Sequence, residues 1–440
     1  MTNPMVAIIG RPNVGKSTLF NRLIGDRIAI TAEEAGTTRD RLFANLEWQG
    51  HHFSLVDTAG LDLHPGDSLM RAMMNQAQLA MDEADVIVFM VDVIDGLTAT
   101  DHDVADKLRR SGKKIVLAVN KCDSPNREMG VAEFYALGLG DPVPLSAYHN
   151  SGVGDLMDRV VAGFPPSEPE PPPVEGMRLA IVGRPNSGKS MLLNALVGQE
   201  RAVVSEVPGT TRDSIDTVLA YGEGKTATLI DTAGIRKRGR IQVGVERFST
   251  MRSIRAIERA DIALLLLDTT ELVSAQDAHI AGYVLDAYKG LIILVNKWDM
   301  AGELGMTEET CEAEIRGRFK FAPFVPVLFT SGLKGIGLHK IMKTAELVYQ
   351  ERVKRIPTAA LNRVMERATA ENLPRLFGKK RLHLLYVTHA EVNPPTFVFF
   401  VNSPKLVHFA YRRYLENRIR DAFAFTGTPV RLVFKARGEE

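Results

Sequence analysis

The chain of 440 residues is 45% apolar and 24% charged, ordinary values that give no compositional case for disorder and, at roughly 100–200 residues per domain, leave room for two to four domains. Its formal net charge of +1 names no partner, but 16 Lys and Arg face only 7 Asp and Glu from Lys354 to Glu440, a surplus of +9 that leaves −8 for residues 1–353. Such segregation of sign hints at an anionic partner for the C-terminal part. Cys122 and Cys311 have neither metal-ligand spacing nor a disulfide framework, which fits a reducing compartment. A leader peptide is not expected, because a functional motif begins at Gly10. The longest apolar runs, such as Ala263–Leu267 and Leu291–Val295, fall far short of the ~20 residues that span a bilayer. The expectation is a cytosolic protein with no membrane span.

In chain order, Val6–Ile9, Phe53–Val56, Val86–Val91 and Ile115–Val119 are near-continuous apolar runs, the pattern of strands buried on both faces. Amphipathic helical patterns alternate with them, which predicts a doubly wound, mostly parallel sheet. The pattern then repeats. GRPNVGKSTLFNRL at 10–23 and GRPNSGKSMLLNAL at 183–196 share ten of fourteen positions. GTTRD (36–40, 209–213), DTAG (57–60, 231–234), ADVIVFMVD and ADIALLLLD (84–92, 260–268), and NKCD and NKWD (120–123, 296–299) recur in the same order at offsets of 173 to 176. Collinear matches at a nearly constant offset mean a duplicated domain.

The predicted boundaries are 1–163 for the first copy, 164–176 for a linker, 177–354 for the second copy and 355–440 for the tail. The linker FPPSEPEPPPVEG holds six prolines and three glutamates, and reads as an extended, semi-rigid spacer at ~3.1 Å per residue. The second copy has no such exit: a helix around Leu338–Lys354 runs close to Pro357 and into another helical pattern. A mobile first copy and a second copy docked on the tail are expected. In the tail, Ala359–Ala370 reads as helix, Leu382–Val387 and Thr396–Val401 as strands around an AEVNPP turn, Val407–Phe425 as helix and Val430–Lys435 as strand. That is a small α+β module.

Both phosphate-loop motifs fit G-x-x-x-x-G-K-[ST], each after a strand and opening a helix. Gly10, Arg11, Pro12, Asn13, Val14, Gly15, Lys16, Ser17 and Thr18 form the first candidate loop, and Gly183, Arg184, Pro185, Asn186, Ser187, Gly188, Lys189 and Ser190 the second. Successive N–H groups and the helix N-terminus would cradle phosphate oxygens. Lys16 and Lys189 would reach the β- and γ-phosphates, and Ser17 and Ser190 would ligate Mg²⁺. Where the first copy has Thr18 the second has Met191, which offers no hydroxyl to an α-phosphate but keeps the backbone N–H.

In DTAG, Asp57 and Asp231 would hold the metal through water, with Thr58, Ala59, Thr232 and Ala233 lining the site. The N–H of Gly60 and Gly234 would sense the γ-phosphate. Thr38 and Thr211 of GTTRD would close over the metal. Asn120, Lys121, Cys122 and Asp123, with Asn296, Lys297, Trp298 and Asp299, would read the base. A carboxylate at Asp123 or Asp299 accepts from the N1–H and N2–H₂ of guanine. Adenine presents an acceptor there and would leave the buried carboxylate unpaired, so discrimination of ~10⁴ or better follows. The stems of Lys121 and Lys297 can lie over the ring. Ser146 and Ala147, and Ser331 and Gly332, would offer a backbone N–H to guanine O6.

With these motifs in order, the chain resembles the translation-factor-like GTPases and, more narrowly, the Der (EngA) family of bacterial ribosome-assembly GTPases. The resemblance covers essentially the whole chain. It implies two tandem P-loop GTPase domains followed by a KH-like domain, binding of GTP and GDP, association with the large (50S) ribosomal subunit through rRNA and ribosomal proteins, and a role in that subunit's maturation; a monomer is expected. After DTAG stand Leu61 and Ile235, hydrocarbons that cannot orient an attacking water. The resemblance to hydrophobic-substituted GTPases implies a K⁺ ion, ligated in part by Asn13 and Asn186, in the electrostatic role of an arginine finger.

In the tail, Lys379, Lys380 and Arg381, and Arg412 and Arg413 interleaved with Tyr411 and Tyr414, read as a surface for phosphates. A G-x-x-G loop, usual in KH modules that bind single strands, is absent from the tail. The basic segment 235–240 is a further candidate for RNA contact. Two other readings stand beside the leading one: a GTP-regulated signalling or RNA-modifying protein, and a scaffold that binds GTP without turnover.

Overall fold

The computed structural model describes residues 4–25, 43–57, 74, 77–78, 80–165, 176–199, 206–208, 215–222, 224–232, 249–377 and 380–436. It divides into two units, Met1–Glu170 with Gly244–Met251, and Pro171–Val243 with Arg252–Glu440.

In the first unit the run MVAIIG forms β1 (Met5–Gly10), buried at every position. Its companions are β2 (Phe43–Trp48), β3 (His51–Asp57), β4 (Val86–Asp92), β5 (Lys114–Asn120) and β6 (Val143–Pro144) in the order β2-β3-β1-β4-β5-β6. All neighbours are parallel except β2, which pairs antiparallel with β3 across Gln49 and Gly50. Both turn residues have φ near +50 to +80° (48° and 78°), the left-handed pair a tight hairpin needs. The sequence reading missed β2, because FANLEW carries no continuous apolar run. The chain leaves β1 toward β3 on one side and β4 on the other, so the sheet's switch point lies at the carboxyl end of β1, where ligands bind in open α/β sheets.

The second unit repeats this with β7 (Met177–Gly183), β8 (Glu206–Pro208), β9 (Ile215–Tyr221), β10 (Lys225–Ile230), β11 (Ile262–Asp268), β12 (Gly290–Asn296) and β13 (Val327–Phe329), ordered β13-β12-β11-β7-β10-β9-β8. Here β8, β9 and β10 form the antiparallel edge and the rest run parallel. Leu179, Leu264, Leu266, Ile292 and Leu294 fill the core against the helices Lys189–Gln199 and Leu338–Val353.

The tail is the α+β module expected. Helix Thr358–Glu371 is followed by a short hairpin, β14 (Leu376–Phe377) with β15 (Lys380–Arg381), that the sequence reading did not anticipate. Then come β16 (Leu384–Val392), β17 (Pro395–Val401), helix Phe409–Phe423 and β18 (Arg431–Ala436). β16 pairs antiparallel and β18 parallel with β17. β16 runs to Val392, well past the expected end at Val387, because its register with β17 continues to Pro395. Val387, Phe397, Phe399, Val401 and Leu432 point from one sheet face into the helices, onto Leu361, Met365, Leu415 and Ile419.

The tail is built onto the second copy, as the sequence led one to expect. The Leu291 N–H donates to Gly427 O (2.7 Å) and the Gly427 N–H to Phe324 O (2.9 Å). Gly427 has φ +67°, and a Cβ there would lie 2.5 Å from Val348 Cγ2, so only glycine allows this approach. Beside it Arg352, 1% exposed, donates to Tyr288 O (2.8 Å), Thr428 Oγ1 (3.0 Å) and Asn393 Oδ1 (2.6 and 3.1 Å).

Candidate nucleotide sites

Both phosphate loops sit at the carboxyl ends of β1 and β7, and both have the same backbone. Asn13 and Asn186 are left-handed (φ 65° and 61°), as are Gly15 and Gly188 (φ 103° and 92°). A Cβ at Gly15 would lie 2.2 Å from Asn120 Nδ2, and one at Gly188 2.2 Å from Asn296 Nδ2. These glycines are therefore needed for closeness as well as for φ.

The Lys16 ammonium is buried and donates to Gly10 O and Arg11 O, both at 2.7 Å. Lys189 likewise donates to Gly183 O (2.7 Å) and Arg184 O. The loop carbonyls thus hold each cation at the mouth of its own nest. Burial pushes Lys16 down to about 8, with the charge of Asp57 opposing the shift. Ser17 Oγ donates to Asp57 Oδ2 at 2.9 Å, bringing together the hydroxyl and carboxylate expected at the metal. In the second copy Asp231 is left-handed (φ 55°), its N–H donates to Asp216 Oδ1 (2.9 Å), and Thr232 Oγ1 lies 2.8 Å from Thr217 Oγ1. Arg259 pairs with the other oxygen of Asp216.

The asparagines of NKxD act as braces. Asn120 Nδ2 donates to Val14 O (2.7 Å), and Asn120 Oδ1 accepts from the Ala147 N–H (2.9 Å). Asn296 repeats this with Ser187 O (2.9 Å) and the Gly332 N–H (3.2 Å). One buried amide so ties the phosphate loop to the loop expected to meet guanine O6. The Ala147 and Gly332 N–H groups, read from sequence as donors to O6, are here directed to these amides. A Cβ at Gly332 would meet Leu192 N at 3.0 Å, so alanine is crowded in the second copy where the first accepts Ala147.

Lys121 and Lys297 are both left-handed (φ 66° and 63°). Their ammonium groups pair with Asp92 Oδ2 and, at 2.6 Å, Asp268 Oδ2 at the ends of β4 and β11. Asp123 pairs with Arg127, and Asp299 Oδ1 accepts from Ser331 Oγ at 2.5 Å. Ser146 N–H donates to Ser151 O (2.8 Å), setting the neighbouring turn. Pro12, Asn13 and Thr18 are exposed at the first loop, and Asn186 and Met191 at the second, while Val14 and Ser187 turn inward and Ser187 Oγ donates to Arg184 O (2.9 Å). Cys122 is buried with its Sγ on Val119 O, and Trp298 packs on Phe329 at 4.3 Å, so both serve the loop's packing. Thr38, Thr58, Ala59, Gly60, Leu61, Thr211, Ala233, Gly234, Ile235 and the 235–240 segment lie outside the described residues.

Arg11 and Arg184 are engaged away from the phosphate cradle. Arg11 Nε meets Asp101 Oδ1 at 3.1 Å, and Arg184 Nε meets Asp277 Oδ2 at 2.8 Å. Each carboxylate is fully buried and closes a capping box, Thr98 with Asp101 and Ser274 with Asp277, at the start of helices Ala99–Arg110 and Ala275–Asp286. The sequence reading missed these anchors. TATD at 98–101 and SAQD at 274–277 recur at the repeat offset and carry the box spacing, so the signal was present. Tyr411 and Tyr414 are likewise structural: their hydroxyls donate to Asn372 O (3.1 Å) and Ala368 O (2.8 Å), fastening the two tail helices together.

Comparison with known proteins agrees with this duplicated geometry. A family model described as a 50S ribosome-binding GTPase matches residues 5–121 and again 178–297. One described as the KH-domain-like C-terminal part of EngA bacterial GTPase enzymes matches 355–435. The chain is similar to GTPase Der of Herpetosiphon aurantiacus, 53% identical over 100% of this chain and 98% of that one. It is also similar to GTPase Der of Chloroflexus aggregans (50%, 99% of each) and of Geobacillus kaustophilus (47%, 99% of this chain and 100% of that one). With two preformed phosphate loops and full-length similarity at this level, the chain belongs to the Der (EngA) family and is a GTP-binding GTPase with two GTPase domains.

Proposed function

We propose that the protein is a GTP-driven switch in the maturation of the large (50S) ribosomal subunit. The observation that carries this reading is the pairing of two complete loop-and-brace sites with a cationic module joined through backbone bonds to the second of them. The family-model description as a 50S ribosome-binding GTPase supports it. The working units are 1–163, 177–354 and 355–440, joined by a 164–176 spacer, and the protein acts as a cytoplasmic monomer.

Ser17 and Asp57 would hold Mg²⁺, because a hydroxyl and a carboxylate 2.9 Å apart offer the hard oxygen donors that ion takes. Ser190 and Asp231 take the same parts in the second site, with Thr38 and Thr211 closing over them. Mg²⁺, when bound, neutralises charge on the β- and γ-phosphate oxygens. Lys16 and Lys189 then exchange their carbonyl partners for phosphate, and the N–H of Gly60 and Gly234 meets the γ-phosphate. Asp123 and Asp299 select guanine. Since Leu61 and Ile235 cannot orient water, Asn13 and Asn186 would hold a K⁺ ion that supplies positive charge in place of an arginine finger; both are exposed, left-handed loop residues.

GTP turnover is therefore expected to be well above its NaCl rate in KCl, and equal rates would sink the K⁺ role. The assembly role is tested by sedimentation with 50S particles in a non-hydrolysable GTP analogue. Absence from those fractions in every nucleotide state would overturn it.

A further inference from the structure

The helices of the C-terminal module cover one face of its sheet. The other face carries a stacked aromatic pair. Tyr386 on β16 lies opposite Phe400 on β17, with ring centroids 4.3 Å apart and planes 14° from parallel. Neither ring belongs to the module's core, and Tyr386 is 44% exposed. Next in the same row, on β18, is Lys435, the register partner of Phe400 and so on the same face.

Further cations gather at this end of the sheet. Lys380 and Arg381 of β15 are exposed. They are tied to the end of β17 by Asn402, whose Nδ2 donates to Arg381 O (2.8 Å) while its Oδ1 accepts from the His383 N–H (2.9 Å). Lys405 is exposed in the turn that follows β17 and packs beside β18. The face's acidic residue, Glu391, sits toward the opposite end, by the turn to β17.

A flat aromatic surface beside clustered cations fits a ligand that is at once planar, apolar and anionic. Unpaired nucleotides have that chemistry: their bases stack on aromatic rings while their phosphates meet cations. A duplex hides its base faces and cannot use the rings. We propose that the Tyr386–Phe400 face is a stacking site for single-stranded RNA, a site on the sheet that has no need of a G-x-x-G loop. The proposal rests on the reading that the protein works on ribosomal RNA and names where unpaired bases would be held.

The test uses the full chain and a fluorescein-labelled single-stranded RNA of about 12 nucleotides, within the usual footprint of such sites. Tyr386→Ala and Phe400→Ala are each expected to weaken binding roughly 5- to 150-fold, the range for losing one stacked base. Tyr386→Phe should bind as the native chain does. The salt dependence should keep its slope, because the phosphate contacts remain, and affinity for the matching duplex should not move. GTP turnover and circular dichroism confirm that the variants fold. Independently of any variant, ultraviolet crosslinking of the native chain should attach RNA to the peptide containing Tyr386.

No single-strand binding, an equal loss on duplex, or crosslinks confined to other segments would each overturn the proposal. Loss of 50S association in the variants without any single-strand binding would overturn it in favour of a protein partner at this face. Single-strand binding through Tyr386 without 50S association would sink the ribosomal reading alone. Association with 50S that survives both alanine variants sinks this site alone.

Discussion

His389 shows how much one side chain can decide. It is 2% exposed in the core of the C-terminal module, stacked on Phe397 at 4.5 Å. Its Nδ1 accepts the Ile356 N–H at 3.1 Å. Burial, with the nearby charge of Arg355, pushes its pKa down to about 4. The neutral ring is thus the folded form, and between pH 6.5 and 4 the unfolded chain binds more protons. Stability from this group is complete above the unfolded value and is lost as pH falls toward 4. Between about pH 7 and about pH 4.5 the loss should be roughly 2–3 kcal/mol. Urea unfolding at both pH values, for the native chain and for His389→Asn, would measure it. Identical pH dependence in the two proteins would refute a buried neutral ring.

At the scale of elements, each nucleotide site is a junction of three loops held by one amide. Asn120 and Asn296 each bond two backbone groups, one in the phosphate loop and one in the loop after β6 or β13. Removing the amide strands a buried carbonyl and an N–H, at about 1–3 kcal/mol each. Asn296→Ala should therefore weaken GDP binding at the second site about 10- to 100-fold and leave the first site unchanged. Gly188→Ala should do at least as much, because its Cβ would collide with the same amide at φ +92°. Calorimetric titration of GDP, read as two sites, checks both. An unaltered second site in either variant would show that the brace is dispensable. The Arg11–Asp101 and Arg184–Asp277 contacts extend the same logic outward, fastening each phosphate loop to the start of the helix after β4 or β11.

For the whole molecule, the consequential joint is the one at Arg352. Its guanidinium is buried, its pKa pushed down to about 10 by that burial, and it donates to neutral oxygens of Tyr288, Asn393 and Thr428. Asn393 Nδ2 in turn lies 3.5 Å from Asp261 Oδ1, which a bidentate Arg178 holds ionised, well below the usual carboxylate range against the cost of its burial. Arg352→Met leaves these acceptors buried and unpaired, an expected loss of about 3 kcal/mol or more. In limited proteolysis the native chain should be cut first within 164–176 and yield a resistant 177–440 fragment. The variant should be cut near 354–357 as well. A native chain that resists cleavage at 164–176 would count against the spacer, and an unchanged pattern in the variant against the Arg352 joint.

Most of the architecture was legible in the sequence, for a physical reason. Continuous apolar runs, glycines at left-handed positions and a phosphate loop between strand and helix are local requirements, so each leaves a local pattern, and duplication writes that pattern twice. The two GTPase folds, the order of the site motifs and the α+β tail follow from those patterns alone. Partnerships between distant residues leave no such mark. That Asn120 braces two loops, that Arg11 serves a helix cap, and that Tyr411 and Tyr414 fasten helices are results of packing across 27 to 106 residues of chain for the bonds concerned. The same holds for the pairing of Tyr386 with Phe400, set by strand register. Sequence determined which residues could bind a nucleotide and that there are two such sets. Only the tertiary structure decided which of those side chains hold the cradle in shape, because hydrogen-bond partners are chosen by proximity in the fold and not along the chain.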